Sequence, residues 1–174
     1  MIRKAEYRDL DAVEGIYDEL HQAEEEGRAV IGWLRNVYPV RSVAEKALER
    51  GDLFVLEDGG SIAGAAIINR VQVDSYMGAP WEHDVPDDSV CVLHTLVISP
   101  RSAGQGLGRS FVDFYEAYAR EQGCPELRID TNARNAAARA MYRKLGYKEI
   151  AVVPTVFNGI PGVDLVLLEK WIGG

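Results

Sequence analysis

The chain has 174 residues, a length that suits one domain with a sizeable core, and its 47% hydrophobic and 26% charged content is that of an ordinary soluble globular protein. No apolar run is long enough to span a bilayer, so a membrane protein is not expected. A net charge of −8 argues against nucleic-acid binding; it suits a cationic, amine-bearing substrate, although solubility alone also accounts for it.

In chain order, Ile2 to Ala5 reads as a short strand. Asp9 to Glu26 reads as a helix, with Leu10, Val13, Ile16, Tyr17 and Leu20 on one face and Gly27 as its stop. The acidic run Glu24-Glu25-Glu26 reads as a solvated helix end, although carboxylates there oppose the helix dipole. Ser42 to Arg50 is a second helix, with Ser42 as its expected cap, Glu45 at the capping-box position and Gly51 at its end. Leu53 to Glu57 and Ile62 to Asn69 are strands around an Asp58-Gly59-Gly60 turn. Arg70 to Ser89 is irregular. Val90 to Ile98 is an apolar strand expected to be covered on both faces.

Gly106 to Gln122 is a helix with Leu107, Phe111, Phe114 and Tyr118 as its expected core stripe. Glu126 to Asp130 is a strand, and Asn135 to Leu145 a helix with Ala138, Met141, Tyr142 and Leu145 on one face. Tyr147 to Val153 and Val163 to Leu168 are closing strands, with Phe157 to Val163 read as the turn between them. The order implies an α/β (α+β) domain around a mixed sheet.

The N-terminal Met1-Ile2-Arg3-Lys4-Ala5-Glu6 lacks the apolar core of a signal peptide. Cys91 and Cys124 make no disulfide framework. A cytoplasmic location with reduced thiols is therefore expected. Neither cysteine has metal-ligand spacing and three scattered histidines add none, so no metal is expected.

The most informative segment is Val97 to Ser110, which runs from an apolar strand through Gly104, Gly106 and Gly108 into an amphipathic helix. Glycines permit a tight turn and leave no Cβ in a ligand's way. The free N–H groups and positive dipole end of the following helix attract phosphate. A nicotinamide-dinucleotide enzyme is one rival reading, because Asp130 follows at a fingerprint-like distance. The third glycine falls at the wrong place, position 109 is Arg, and no βαβ half opens the chain.

Leu93-His94-Thr95-Leu96-Val97-Ile98-Ser99-Pro100 and Ala103-Gly104-Gln105-Gly106-Leu107-Gly108 together resemble the acetyl-CoA motif of the GNAT superfamily of N-acetyltransferases. Asn135 to Tyr147, with Ala138, Tyr142 and Gly146, resembles the family's Asn-x-x-Ala…Tyr…Gly-Phe helix. The resemblance extends over essentially the whole chain. It implies a single N-acetyltransferase domain over 1–174, with a central mixed, mostly antiparallel sheet flanked by about four helices. In one respect the chain departs from the pattern: Ala103 occupies the position where the family has Gln or Arg. Backbone donors remain there, so binding should survive.

The resemblance further implies that acetyl-CoA is the co-substrate. Leu96, Val97 and Ile98 would pair with the pantetheine arm and the acetyl oxygen. Ala103, Gly104, Gln105, Gly106, Leu107, Gly108 and Arg109 would hold the pyrophosphate, and Asn135 would bond the arm. Tyr142 is the candidate general acid and His94 the candidate base; a core aromatic and a satisfied core histidine are the competing readings. Trp33, Tyr38, Tyr76 and Trp81 are candidates for an aromatic amine pocket. The implied reaction is direct attack by a primary amine of a small molecule or peptide within a ternary complex. Cys91, on the central strand, keeps a covalent route open. By analogy with such folds, a homodimer is an implied partner state. The alternative is a non-catalytic acyl-CoA-binding sensor of the same fold, against which the presence of Tyr142 counts.

Overall fold

The computed structural model describes all 174 residues. Four helices and seven strands form in the order β1 (Ile2–Lys4), α1 (Leu10–Glu25), α2 (Arg41–Arg50), β2 (Leu53–Asp58), β3 (Ser61–Asn69), β4 (Val90–Ile98), α3 (Leu107–Glu121), β5 (Glu126–Asn132), α4 (Ala136–Lys144), β6 (Lys148–Phe157) and β7 (Ile160–Trp171). The sheet order is β1-β2-β3-β4-β5-β7-β6, and only β4 and β5 run parallel. The expected mixed α/β architecture with a mostly antiparallel sheet is what forms.

Alternation along β4 divides the core. Cys91 and Leu93 face α3, where they join Phe111, Val112, Tyr115 and Ala119 in the largest apolar cluster. Val90 and Val92 face the other way, into a cluster with Tyr76, Ile160, Val163, Leu165 and Leu167. On that same side, Leu10, Val13, Ile16 and Tyr17 of α1 and Ala44 and Ala47 of α2 cover β2 and β3. Each fully buried side chain of the size of Phe111 contributes about 1.5–3 kcal/mol. The stripe of α3 is therefore centred on Phe111, Val112, Tyr115 and Ala119, all unexposed, while the expected Leu107, Phe114 and Tyr118 pack at its margin. Tyr115 repeats at i+4 from Phe111, and its hydroxyl also lies 2.5 Å from the Cys91 carbonyl and 3.3 Å from that of Arg128. One phenol thus clips β4 to β5.

Three local expectations are corrected. Ser42 does not cap α2: the helix starts at Arg41, with Val40 at the cap and no side-chain bond there. Arg41 takes Glu45 (2.8 Å) together with Asp11 and Glu14 (2.7 Å each), so Glu45 has an ionic partner in place of a cap. The closing strands are longer than expected, because the turn between them is only Asn158-Gly159, both at positive φ; Ile160, Pro161 and Gly162 already belong to β7. The acidic run at the end of α1 is not simply solvated. Glu24 accepts from the backbone N–H groups of Ile31 (2.5 Å) and Gly32 (3.1 Å), and so fixes the loop that carries Trp33. No helix is long and apolar enough to cross a membrane.

Candidate active site

The parallel pairing of β4 and β5 ends at Leu93↔Ile129, although β4 continues to Ile98 and β5 to Asn132. Two features turn β4 aside. Thr95 sits at φ +48°, and the register with β3 slips between Ala65 and Ile67. This bulge re-aims the strand. Gly64 on β3 lets β4 come close: a Cβ there would lie 2.8 Å from the Val97 carbonyl oxygen and 2.7 Å from Ile98 Cδ1. Beyond the split, Val97 and Ile98 pair with β3 on one side, and Leu96 to Ile98 pair with no strand on the other.

The split opens a cavity of about 190 Å³. Its walls include Leu93 to Ile98 of β4, Asp130 to Asn132 of β5, and Asn135, Ala138 and Tyr142 at α4. Trp33 and Tyr38 stand at another side, with Phe157, Asn158 and Ile160 from the β6–β7 hairpin. The structure thus brings Leu96, Val97, Ile98, Asn135, Tyr142, His94, Trp33 and Tyr38 to one cleft. Asn135 caps α4, its Oδ1 accepting from the Ala138 N–H at 3.1 Å, which leaves its amide N–H groups for another partner. Tyr38 and Thr95 share a hydrogen bond between their hydroxyls, and Trp33 meets the Tyr38 ring edge-on at 6.0 Å. Burial pushes the Tyr38 phenol up to about 12.

Tyr142 is 5% exposed. Burial, and then the neighbouring Asp130 charge, holds its phenol well above the usual value, so it keeps its proton at working pH. His94 lies among polar groups. Asn69 donates through Nδ2 to Asp52 (2.9 Å), and its Oδ1 accepts from the Val71 N–H (3.0 Å). That orientation makes the His94 Nε2 contact with Asn69 Oδ1, at 2.8 Å, a donation by the ring. Burial lowers the His94 ring to about 4.

Tyr76 and Trp81 do not line the cleft. The Tyr76 hydroxyl donates to Asp130 Oδ2 at 2.7 Å from behind, and its ring packs edge-on to Trp81. Trp81 donates to the Tyr76 carbonyl and carries the Arg128 guanidinium on its face. Both are packing residues. Cys91 points into the α3 core instead, where burial pushes its thiol up to about 12, an environment unsuited to a thiolate nucleophile.

The glycine turn lies apart from this cavity, at the exposed N-terminus of α3. Gly104 (φ +78°) and Gly106 (φ +74°) use the left-handed region, and a Cβ on either would meet nothing within 4 Å. Open space over a helix N-terminus is what a phosphate-bearing ligand requires. Ala103 and Gln105 are exposed in the turn, Leu107 packs inward, and Arg109 is free apart from Asp113 at 3.8 Å. Gly108 serves packing: a Cβ there would lie 3.2 Å from Met141 Sδ of α4.

Sequence reasoning missed Asp130 as a site residue. Burial raises its carboxyl to about 6, in spite of the opposing Tyr76 hydrogen bond. Asp130 was legible only as an acid following a glycine turn; its position at the split of two strands was not.

The model of the Acetyltransferase (GNAT) family matches residues 13–147. An uncharacterized N-acetyltransferase of Bacillus subtilis, YesJ, is 28% identical over 126 residues, 72% of this chain and 64% of that protein. The chain spans less than two thirds of the length of the curated relatives it matches. Among solved structures, a GNAT-family acetyltransferase of Streptococcus agalactiae superposes with a TM-score of 0.81 at 23% identity, covering 100% of this chain and 96% of that one. Salmonella typhimurium yncA, solved with its cofactor acetyl-CoA, gives a TM-score of 0.69 at 18% identity, covering 100% and 94%. With more than half its length matched by the family model, this chain belongs to the GNAT acetyltransferase family.

Proposed function

We propose that the chain transfers an acetyl group from acetyl-CoA to a primary amine. The observation that carries this is the convergence of an unpaired stretch of β4, the Tyr142 hydroxyl and the Asp130 carboxylate on one cleft. The residues fit such a co-substrate. Gly104 to Arg109 offer an open helix N-terminus for the pyrophosphate, and the β4 backbone from Leu96 to Ile98 offers free groups to the pantetheine arm. Acetyl-CoA supplies the activated acyl group.

Tyr142 lines the cleft and keeps its proton, so it is placed to give that proton to the departing thiolate, although burial makes the phenol a weaker acid than a free one. Asp130 is the better-matched acceptor of the amine proton. Its carboxyl near 6 is ionised at neutral pH and lies close to the range of efficient general bases. Its charge also attracts the amine. His94, near 4 and committed through Nε2 to Asn69, favours a positioning role in the Asp52–Asn69–His94 series. Trp33, Tyr38 and Phe157 supply aromatic surface at the acceptor side. The buried Cys91 supports direct attack over a covalent route.

Thermal stability with acetyl-CoA, with NADH as control, tests the reading. A ligand at about 100 times its dissociation constant stabilises by roughly 2.7 kcal/mol. A shift with acetyl-CoA alone, followed by thiol release with an amine panel, is expected. A shift with NADH alone would refute it, and acetyl-CoA binding without thiol release from any amine would favour a sensor.

A further inference from the structure

At the end of β5 away from the cleft, three side chains from distant parts of the chain converge: His83 from the segment between β3 and β4, Glu126 at the start of β5, and Glu169 on β7. One ligand atom from each residue lies within 4.8 Å of the others, and His83 Nδ1 is 3.8 Å from Glu126 Oε2. His83 Nδ1, Glu126 Oε2 and Glu169 Oε2 are all buried and none has a hydrogen-bond partner. Glu126 is 0% and Glu169 3% exposed.

The carboxylates are held in place by their other oxygens. Glu126 Oε1 accepts from Arg128 Nε at 3.3 Å, and Glu169 Oε1 accepts from the Glu82 backbone N–H at 2.6 Å. The His83 ring stacks on Trp171 at 4.2 Å, nearly parallel. Arg128 pairs with Glu126 alone, and it is shared with the Gln72 side chain, the His83 carbonyl and the Trp81 face; no Lys or Arg pairs with Glu169. Lys148 is paired with Glu82. Buried polar atoms are ordinarily satisfied. A proton shared by the carboxyl groups would satisfy the two oxygens and leave His83 Nδ1 without a partner. A cation satisfies all three.

We infer that His83, Glu126 and Glu169 form a binding site for a divalent transition-metal ion of the zinc type, distinct from the acetyl-transfer cleft. One imidazole nitrogen with two carboxylate oxygens suits zinc, whereas calcium and magnesium favour all-oxygen shells. Ligand bonds of about 2.0–2.2 Å require the three atoms to draw together, with water completing the shell. The ion fastens the segment between β3 and β4 to β5 and β7.

The test uses the tag-free full chain, stripped with chelator and titrated with zinc chloride. Calorimetry and metal analysis after dialysis should give one equivalent per chain, with a raised unfolding temperature. His83→Gln, at a half-exposed residue, and Glu169→Gln, which keeps an oxygen for the Glu82 N–H, should each weaken binding by at least about tenfold. Absence of a bound equivalent overturns the site, as does an equivalent that both variants retain. The readout is metal content, so it is independent of acetyl transfer.

Discussion

Asp130→Asn removes a charge that the fold holds at a cost. The carboxyl ionises near 6 in the folded protein and near the ordinary 3.8 when unfolded, a difference of about 2 pH units. At 1.36 kcal/mol per unit, the ionised group disfavours the folded state by about 3 kcal/mol at neutral pH. The sign follows from the raised folded value. Between pH 3.8 and 6 the folded state binds more protons than the unfolded one, so stability falls as pH rises through that window and then levels off. Asn is uncharged and still accepts from the Tyr76 hydroxyl. Its own desolvation takes back part of the gain, so 3 kcal/mol is a ceiling. Each kcal/mol moves the unfolding midpoint of a chain this long by about 2–4 °C. Unfolding midpoints of both proteins from pH 4 to 8 should coincide most closely at the acid end and separate toward pH 7, with the variant higher. The same variant should lose acetyl transfer by about 10²-fold or more. A difference independent of pH, or a variant less stable at pH 7.5, would refute the reasoning.

Tyr142→Phe should lower kcat by about 10²-fold while leaving acetyl-CoA binding within a few-fold, checked by single-turnover rates and calorimetry; equal losses in both would end its role as acid. His94→Gln should leave the rising limb of kcat/KM near pH 6, as the proposed role of Asp130 as base requires. The His94 ring is lowered on folding, so the stability it contributes is complete above pH 6.5 and is lost as pH falls toward 4; Gln should remove that acid sensitivity in a pH series of melts. Gly106→Ala should cost about 1–2 kcal/mol through its positive φ, read from denaturant melts, and raise KM for acetyl-CoA.

Much of this was legible in the chain because periodicity and turn chemistry act locally. The helix of Leu107 to Glu121, the Asp58-Gly59-Gly60 hairpin and the glycine turn each follow from a few neighbouring residues. Ser42 misled because Arg41 reaches Asp11 and Glu14, thirty and twenty-seven residues away, and no local rule contains that contact. Tyr76 and Trp81 misled for the same reason: aromatic character was visible, but the partners Asp130 and Arg128 were not. Asp130 and the His83–Glu126–Glu169 group exist only once β5 has found its neighbours.

The split between β4 and β5 has a mechanical consequence. Four rungs, Val90 to Leu93 against Glu126 to Ile129, join two half-sheets that diverge beyond them, and the Tyr115 hydroxyl pins the junction from the α3 side. Amide hydrogens of β4 that face the gap exchange with solvent without any rung opening, whereas those at the junction wait for the half-sheets to part. A ligand seated along the gap becomes a fifth rung, and occupancy of the cleft is thereby readable as stiffness of the whole sheet.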